Sequence, residues 1–348
     1  MGETMAKEDF TLGMKTERMT DIALSFKKTC ALLGAIELEL FSHIAGGAST
    51  VEELSAAMGI EAEKTDRLLT VCKAMNLVRE VDGHHFNMSD VERYLVKDNR
   101  TYFGDYLLYI ARRDYTDFDS VAENLTAVSD GGGRDEHSYL NALADPEEAR
   151  RFTVAGYEAS IGLGHKLAKD YNFSRFGRWL DIAGGSGCYA IAACERNAGL
   201  QVTIMDQPNV IVIAQEFIAK HGLEARIDTM AGDFLETPFP GGHDLASYIT
   251  PLQGYMPDEI IAVLRRTQQA LKPGGEMLII DYMLEDDKTG PLDPAFVNLA
   301  GVRRGRYLGR VNTGAEWRNF LGQAGYVNAM SRWFTPHQLG LITAQKPS

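Results

Sequence analysis

Only four cysteines (Cys30, Cys72, Cys188 and Cys194) occur in 348 residues, and no two stand in a Cys-x-x-Cys pair. That excludes a disulfide framework and a zinc knuckle. Long apolar runs are missing too; no stretch approaches the roughly 20 residues of a membrane span. Basic charge is scarce: 35 Lys and Arg face 48 Asp and Glu, a net charge of −13. A chain so negative repels phosphate backbones and anionic lipid surfaces unless a local basic patch overrides the total. The opening Met1-Gly2-Glu3 carries an acid where a secretory signal needs a basic and then an apolar run. A soluble, cytoplasmic protein is expected, with neither nucleic acid nor membrane as partner. What is present, 45% hydrophobic and 24% charged residues, has the proportions of a folded protein with room for two domains.

The first third reads as successive helices. Residues 17–43 place Ile22, Leu24, Phe26, Cys30, Leu32, Leu33, Ile36, Leu38, Leu40 and Phe41 in a wide apolar stripe, which predicts a helix buried against more than one neighbour. Ser49 to Glu53 has the pattern of a capping box. It opens a short helix that Gly59 stops, and a second helix spans about 62–76. Two strand-like runs, 77–81 and 85–88, flank Asp82-Gly83, the signature of a tight hairpin. Helix, turn, helix and hairpin form a winged-helix pattern. Its second helix offers Lys64, Arg67 and Lys73 against Glu61, Glu63 and Asp66, so it lacks the basic face of a groove reader. A packing or dimerisation module is expected there.

Residues 106–170 continue as helix, interrupted by the loop Ser129 to Gly133. The aromatics Tyr102, Phe103, Tyr106, Tyr109, Tyr115, Phe118, Tyr139 and Tyr157 are expected mostly in the core. From about 175 strands alternate with helices: 179–183, 202–206, 227–231, 244–249 and 276–281. That alternation predicts a Rossmann-like, doubly wound parallel sheet, an α/β fold joined to an all-helical winged-helix domain. The expected domains are 1–105, a helical connector 106–170 and 171–348.

The chemistry-bearing residues sit at strand ends. Asp181-Ile182-Ala183-Gly184-Gly185-Ser186-Gly187 joins the first of these strands to a helix, where glycines permit a tight turn and close approach of a ligand. Asp206 ends the next strand, about 20 residues after the last glycine, where an acid binds ribose hydroxyls. Gly232-Asp233-Phe234 ends the third, offering an acid and an aromatic to an adenine.

Together with Asp206-Gln207-Pro208 and Ala270 to Gly275, these motifs resemble the class I S-adenosylmethionine-dependent methyltransferases, and within them the plant-type and bacterial small-molecule O-methyltransferases. The resemblance runs over roughly residues 20–346. It implies S-adenosyl-L-methionine as cofactor, and a homodimer made by the N-terminal domain. It also implies that Asp181, Gly184, Gly185 and Gly187 surround the methionine part, that Asp206 with Gln207 meets the ribose, and that Gly232, Asp233 and Phe234 meet the adenine.

Against that pattern the catalytic half departs. The family's base is a His after the fourth strand; here Gln253 stands in its place, and an amide accepts no proton at useful pH. The acids that orient that His are altered as well: Asp281 replaces a Glu, and Val311 replaces the acid of the family's G-x-E-R-T, here Gly309 to Thr313. Two readings stay open. One is O- or C-methylation of a hydroxylated natural product by proximity or another base. The other is methylation of a thioether, whose lone pair attacks without losing a proton. Arg303, Arg304, Arg306 and Arg310 crowd one stretch and suggest an anionic acceptor, which arginine grips in a bidentate way. In the family a helix here lines the acceptor pocket, and matching places Asn298, Val302 and Arg306 on it. A thioether bearing a carboxylate describes 4-methylthio-2-hydroxybutyrate; the chain resembles the methylthiohydroxybutyrate S-methyltransferases of dimethylsulfoniopropionate synthesis. A winged-helix regulator that senses S-adenosylmethionine is the non-enzyme alternative. No metal is expected, since His84, His85, His165 and His243 are scattered without ligand spacing.

Overall fold

The computed structural model describes residues 16–99, 101–118, 120–128, 143–303, 306–307 and 309–348, without the side chains of 113, 116, 117, 303, 306 and 307. The expected loop 129–133, Tyr139 and Arg304 lie outside the described residues. The chain divides into two compact units, Met1–Ala111 and Arg112–Ser348.

In the first unit, the single helix expected over 17–43 is three: Glu17–Leu24, Phe26–Glu37 and Leu40–Ala45. Glu39, at a φ of 52°, breaks the last pair. The expectation of burial along the whole stripe is corrected as well. Glu17–Leu24 buries nothing, and Ile22 is 58% exposed, because the core begins only at Ala35 and Ile36. That core gathers Leu40, Phe41, Leu54, Leu69, Cys72, Val78 and Val91. Thr50 and Glu53 close the capping box of Val51–Met58, and the two backbone N–H groups that Glu53 accepts pull its carboxyl down to about 2. The strands β1 (Val78–Val81) and β2 (His84–Asn87) pair antiparallel across Asp82 and Gly83, both left-handed, as an Asp-Gly turn requires. Lys64, Arg67 and Lys73 are ion-paired to Glu61, Glu63 and Glu80.

The second unit is the doubly wound sheet. Its strands are β3 (Arg178–Ile182), β4 (Gln201–Asp206), β5 (Ile227–Ala231), β6 (His243–Ile249) and β7 (Leu271–Leu284). After them come β8 (Val302–Arg303), β9 (Arg306–Tyr307), β10 (Asn312–Thr313), β11 (Val327–Trp333) and β12 (Leu339–Gln345). The sheet order is β11-β12-β7-β6-β3-β4-β5, with β10 alongside β7. The block β5 to β7 is parallel; β12 runs antiparallel to β7 and β11 antiparallel to β12. After β3 the chain winds one way to β4 and β5, then crosses back to β6 and β7. The crevice at the carboxyl end of β3 is therefore the switch point where such sheets bind ligands.

Two cores face that sheet, one around Trp179, Ile191 and Ile204, the other around Leu180, Tyr248, Leu264 and Trp317. None of the described aromatics expected in the core is fully buried; Tyr115 is exposed and the others are half-buried. The helix expected to carry Val302 and Arg306 also needs correction. It runs Leu292–Ala300, and Val302 and Arg306 lie on the two strands of a short ribbon, with Val302 opposite Tyr307 and Arg303 opposite Arg306.

Candidate cofactor and acceptor site

Asp181 sits near the end of β3, fully enclosed. The indole N–H of Trp179 donates to Ser247 Oγ at 2.7 Å, and Ser247 Oγ donates to Asp181 Oδ1 at 2.6 Å. Asp181 Oδ2 is buried with no partner. Burial, with some help from the neighbouring charge of Asp206, pushes the Asp181 carboxyl up to about 7. The loop that follows is tight. Ala183 is left-handed at a φ of 55°, an unusual conformation for a residue with a side chain. A Cβ on Gly184 would sit 2.8 Å from Asp181 Oδ2 and 2.9 Å from Ile204 Cγ2. Gly187, at a φ of 76°, opens the helix Cys188–Arg196, and a Cβ there would meet Ile204 Cδ1 at 2.6 Å. Gly187 has no side chain with which to cap that helix, so the positive end of its dipole meets the loop without an N-cap acceptor. An unpartnered carboxylate oxygen beside uncapped amide donors complements the ammonium and carboxylate of an amino-acid group.

Asp206, at the end of β4, accepts the Gly185 N–H at 2.8 Å and the Gln207 N–H at 2.7 Å. Burial raises its carboxyl to about 6. Each of its oxygens keeps a free lone pair for a hydroxyl donor. Gly232 reaches the same place, donating its N–H to the Asp206 carbonyl at 2.9 Å. Asp233 accepts the Leu235 N–H at 2.8 Å, which curls the loop after β5. Phe234 is 8% exposed and packs edge-on against Tyr248 and Tyr255, so its ring is core as well as a wall. Arg266 ties this loop down from behind, donating to the carbonyls of Phe234, Leu235 and Thr237.

The residues expected on the acceptor side lie past β6. Gln253 occupies the turn Leu252–Gly254, with its amide Oε1 buried and unpartnered. Asp281, fully buried in β7, does not reach for that side chain. It accepts backbone N–H groups from Leu252 at 3.0 Å, Gln253 at 3.1 Å and Tyr282 at 2.8 Å. Val311 is buried, and its N–H donates to Asn298 Oδ1 at 3.0 Å, so Asn298 spends that oxygen on the backbone. Arg310 is paired with Glu316 at 2.9 Å and with Asn312 Oδ1 at 3.0 Å. Val302 borders a small cavity with Phe118, Val121, Asn124, Leu125, Leu299 and Ala300. The side chains of Arg303 and Arg306 are outside the described set.

The sequence reading missed Ser247, Trp179 and Arg266, which support the site from elsewhere in the chain. A hollow of about 530 Å³ bordered by residues 168–174 with Arg196 and Asn197 precedes β3, at the strand end opposite the glycine loop. Among the described residues no cluster of His, Cys, Asp and Glu could hold a metal ion. Nor is any described helix long and apolar enough to cross a membrane.

The comparison with known proteins agrees with this geometry. An O-methyltransferase domain model matches residues 126–327, and an O-methyltransferase dimerisation domain model matches 20–98. The chain belongs to the O-methyltransferase family. It is 31% identical over 330 residues to the 3-hydroxy-5-methyl-1-naphthoate 3-O-methyltransferase of Streptomyces sahachiroi, covering 94% of each chain. It is 26% identical to the mouse acetylserotonin O-methyltransferase, covering 88% of this chain and 83% of that one. Human N-acetylserotonin methyltransferase, solved with S-adenosylmethionine, shares the fold over all of both chains, with a TM-score of 0.85 at 23% identity. This member of the family is therefore an S-adenosylmethionine-dependent methyltransferase acting on a small molecule, and its dimerisation domain supports a homodimer.

Proposed function

We propose that this methyltransferase acts without a general base, methylating the sulfur of a carboxylate-bearing thioether such as 4-methylthio-2-hydroxybutyrate. One observation carries the reading: at the acceptor end the side chain at the base position is the amide of Gln253, while Asp281 is surrounded by backbone donors. When bound, the cofactor supplies an electrophilic methyl on a sulfonium. An acceptor that gives up a proton needs somewhere for it to go, and Gln253 offers nowhere. A thioether attacks with a lone pair and leaves no proton behind. The unpartnered Gln253 Oε1 then has a natural complement, an acceptor hydroxyl that stays protonated, because a buried acceptor left unpaired is costly.

In this reading Asp181, Gly184, Gly185 and Gly187 hold the amino-acid end of the cofactor. Asp206 with Gln207 holds the ribose, and Gly232, Asp233 and Phe234 the adenine. Gln253, Asn298, Val302, Arg303, Arg304 and Arg306 are assigned to the acceptor side, the arginines for the charge that matches a carboxylate. The second reading, O-methylation, is favoured by the relatives. The Streptomyces sahachiroi protein is named for a hydroxylated naphthoate, which also carries a carboxylate.

An acceptor screen with methyl-labelled S-adenosylmethionine decides between them. It includes thioether acids, catechols, hydroxyquinones and hydroxynaphthoates. A sulfonium product from the thioether acid, formed faster than any methyl ether, is expected. Methyl ethers from the phenols with no label on the thioethers would overturn the proposal.

A further inference from the structure

Asp181 is held from behind by a chain of donors that crosses two strands. β3 and β6 run parallel in a register that sets Asp181 beside Ser247. Alternation puts Trp179, two residues earlier on β3, on the same face of the sheet. All three side chains are enclosed. An indole N–H has no lone pair to offer, so it can only donate, and it donates to Ser247 Oγ. The single hydroxyl proton of Ser247 is thereby committed to its other neighbour, Asp181 Oδ1. An apolar residue at 247 would leave the indole N–H and Asp181 Oδ1 both buried without a partner. Asp181 Oδ2 is the oxygen left over, unpartnered and turned towards the glycine loop, where a Cβ on Gly184 would stand only 2.8 Å from it.

We propose that Ser247, backed by Trp179, is a positioning residue for the cofactor: its hydroxyl occupies Asp181 Oδ1 and so presents Oδ2, ionised, to the ammonium of the cofactor's amino-acid end. That role presupposes Asp181 at the amino-acid end. A carboxyl so enclosed is driven towards its neutral form, which offers an ammonium no charge. The hydrogen bond from Ser247 works against that drive. The indole strengthens it, since a hydroxyl that accepts an N–H is a better donor. The titratable groups that face Asp181 give no such help. Asp206 at the end of β4 adds like charge, and burial keeps the Cys188 thiol and the Tyr189 phenol of the next helix protonated. Among the described residues, Ser247 is the side chain that favours the ionised form.

Calorimetry with two ligands separates this role from a loss of packing. S-adenosylhomocysteine carries the ammonium; 5′-methylthioadenosine shares the adenosine but lacks the amino-acid end. Both are titrated, from about pH 6 to 8.5, into the parent, Ser247→Ala, Trp179→Phe, Asp181→Asn and the Ser247→Ala/Asp181→Asn pair. Near pH 7 Ser247→Ala is expected to weaken S-adenosylhomocysteine about 10- to 100-fold, the loss typical of a hydrogen bond to a charged group. Methylthioadenosine should stay within about twofold. The deficit should shrink as pH rises, because a higher pH restores the charge that the hydroxyl had favoured. Titration of Asp206 acts on both ligands through the ribose they share and cancels in their ratio. Trp179→Phe should cause a smaller loss of the same kind. Ser247→Ala with Trp179→Phe removes the hydroxyl and the N–H it accepts together; it serves where the alanine variant misfolds, and it should show the same deficit. In the Asp181→Asn background Ser247→Ala should cost nothing further. Ser247→Ala weakening both ligands alike, a deficit equal at every pH, or losses that multiply in the pair would each overturn the role of Ser247 while leaving Asp181 in place. Asp181→Asn binding both ligands as the parent does would remove Asp181 from the amino-acid end, and the role of Ser247 with it.

Discussion

The backbone N–H of Gly185 donates to the carboxylate of Asp206 at 2.8 Å. That bond crosses from the loop after β3 to the end of β4, so the acid sits where it both braces the glycine loop and faces the switch-point crevice. Replacing it removes a brace and a hydroxyl acceptor together. Asp206→Ala is expected to weaken S-adenosylhomocysteine binding by about 2–3 kcal/mol, the scale of hydrogen bonds to a charged group. Asp206→Asn, which keeps one acceptor oxygen, should lose less. Titration calorimetry on both variants checks this, and affinity equal to the parent's in the alanine variant would remove Asp206 from the cofactor site.

Stability should depend on pH in an unusual direction. The ordinary Asp value is 3.8, whereas the folded chain holds Asp181 and Asp281 at about 7 and Asp206 at about 6. Between about pH 4 and 7 the folded state therefore binds protons that the unfolded state has released, and stability falls as pH rises through that window. The carboxyls held low by a partner, such as Glu39 beside Lys97 and Asp244 beside Lys272, contribute stability that is lost only as pH falls below their ordinary values, at the acid edge of this window and beyond it. The cofactor-free protein should melt several degrees higher at pH 5.5 than at pH 8, and Asp181→Asn should flatten that slope. Because the cofactor brings positive charge to Asp181, its binding should release protons and tighten as pH rises. Scanning fluorimetry across pH, with calorimetry in buffers of different ionisation enthalpy, measures both effects. A flat melting profile with no proton release would contradict the burial of these carboxyls.

How much of this was legible in the sequence depended on how local each feature is. The Asp82-Gly83 turn, the Thr50 capping box and the glycine loop are set by neighbours in the chain, and all three stand where the sequence places them. The parallel strands were readable because a strand buried on both faces is a continuous apolar run. The outer strand β11 was not, since it alternates exposed and half-buried residues at the sheet edge and carries Asn328 in a left-handed conformation. The break at Ala300 was missed because the glycine that caps the helix, Gly301, is a single residue followed at once by Val302 and Arg303, which fit a continuing helix as well as a strand. The role of Asp281 depends on a turn 29 residues away in sequence, and no periodicity reports such a contact.

Of the arginines between 303 and 310, the fold explains Arg310, and the proposed function assigns the others to the acceptor. Arg310 is committed to Glu316 and Asn312, so Arg310→Ala should act on stability, by up to about 1 kcal/mol for a half-exposed pair, and leave the acceptor KM unchanged. Arg306→Ala should mainly raise KM for a carboxylate acceptor with kcat preserved, since pairing with a remote charge binds ground and transition states alike. Steady-state kinetics with 4-methylthio-2-hydroxybutyrate and its methyl ester test the pair. An ester handled as well as the acid by the parent enzyme would show that no arginine grips a carboxylate.

Gln253 gives the sharpest test of base-free transfer. If its Oε1 accepts a hydroxyl that keeps its proton, Gln253→Ala loses one buried hydrogen bond, about 1–3 kcal/mol in kcat/KM for the hydroxy thioether. Against 4-methylthiobutyrate, which lacks the hydroxyl, the same substitution should cost much less, because the parent already leaves that oxygen unpaired. Gln253→His restores the residue type that takes a proton, so it should open activity on phenols and bring no gain on the thioether. With no proton in flight, the parent's rate on the thioether should show a solvent deuterium effect near unity. Single-turnover rates in light and heavy water, for the parent and both variants on all three acceptors, measure this directly. A large solvent effect on the thioether, together with a histidine variant that outperforms the parent on it, would mean that proton transfer limits the reaction and that the missing base is supplied from elsewhere.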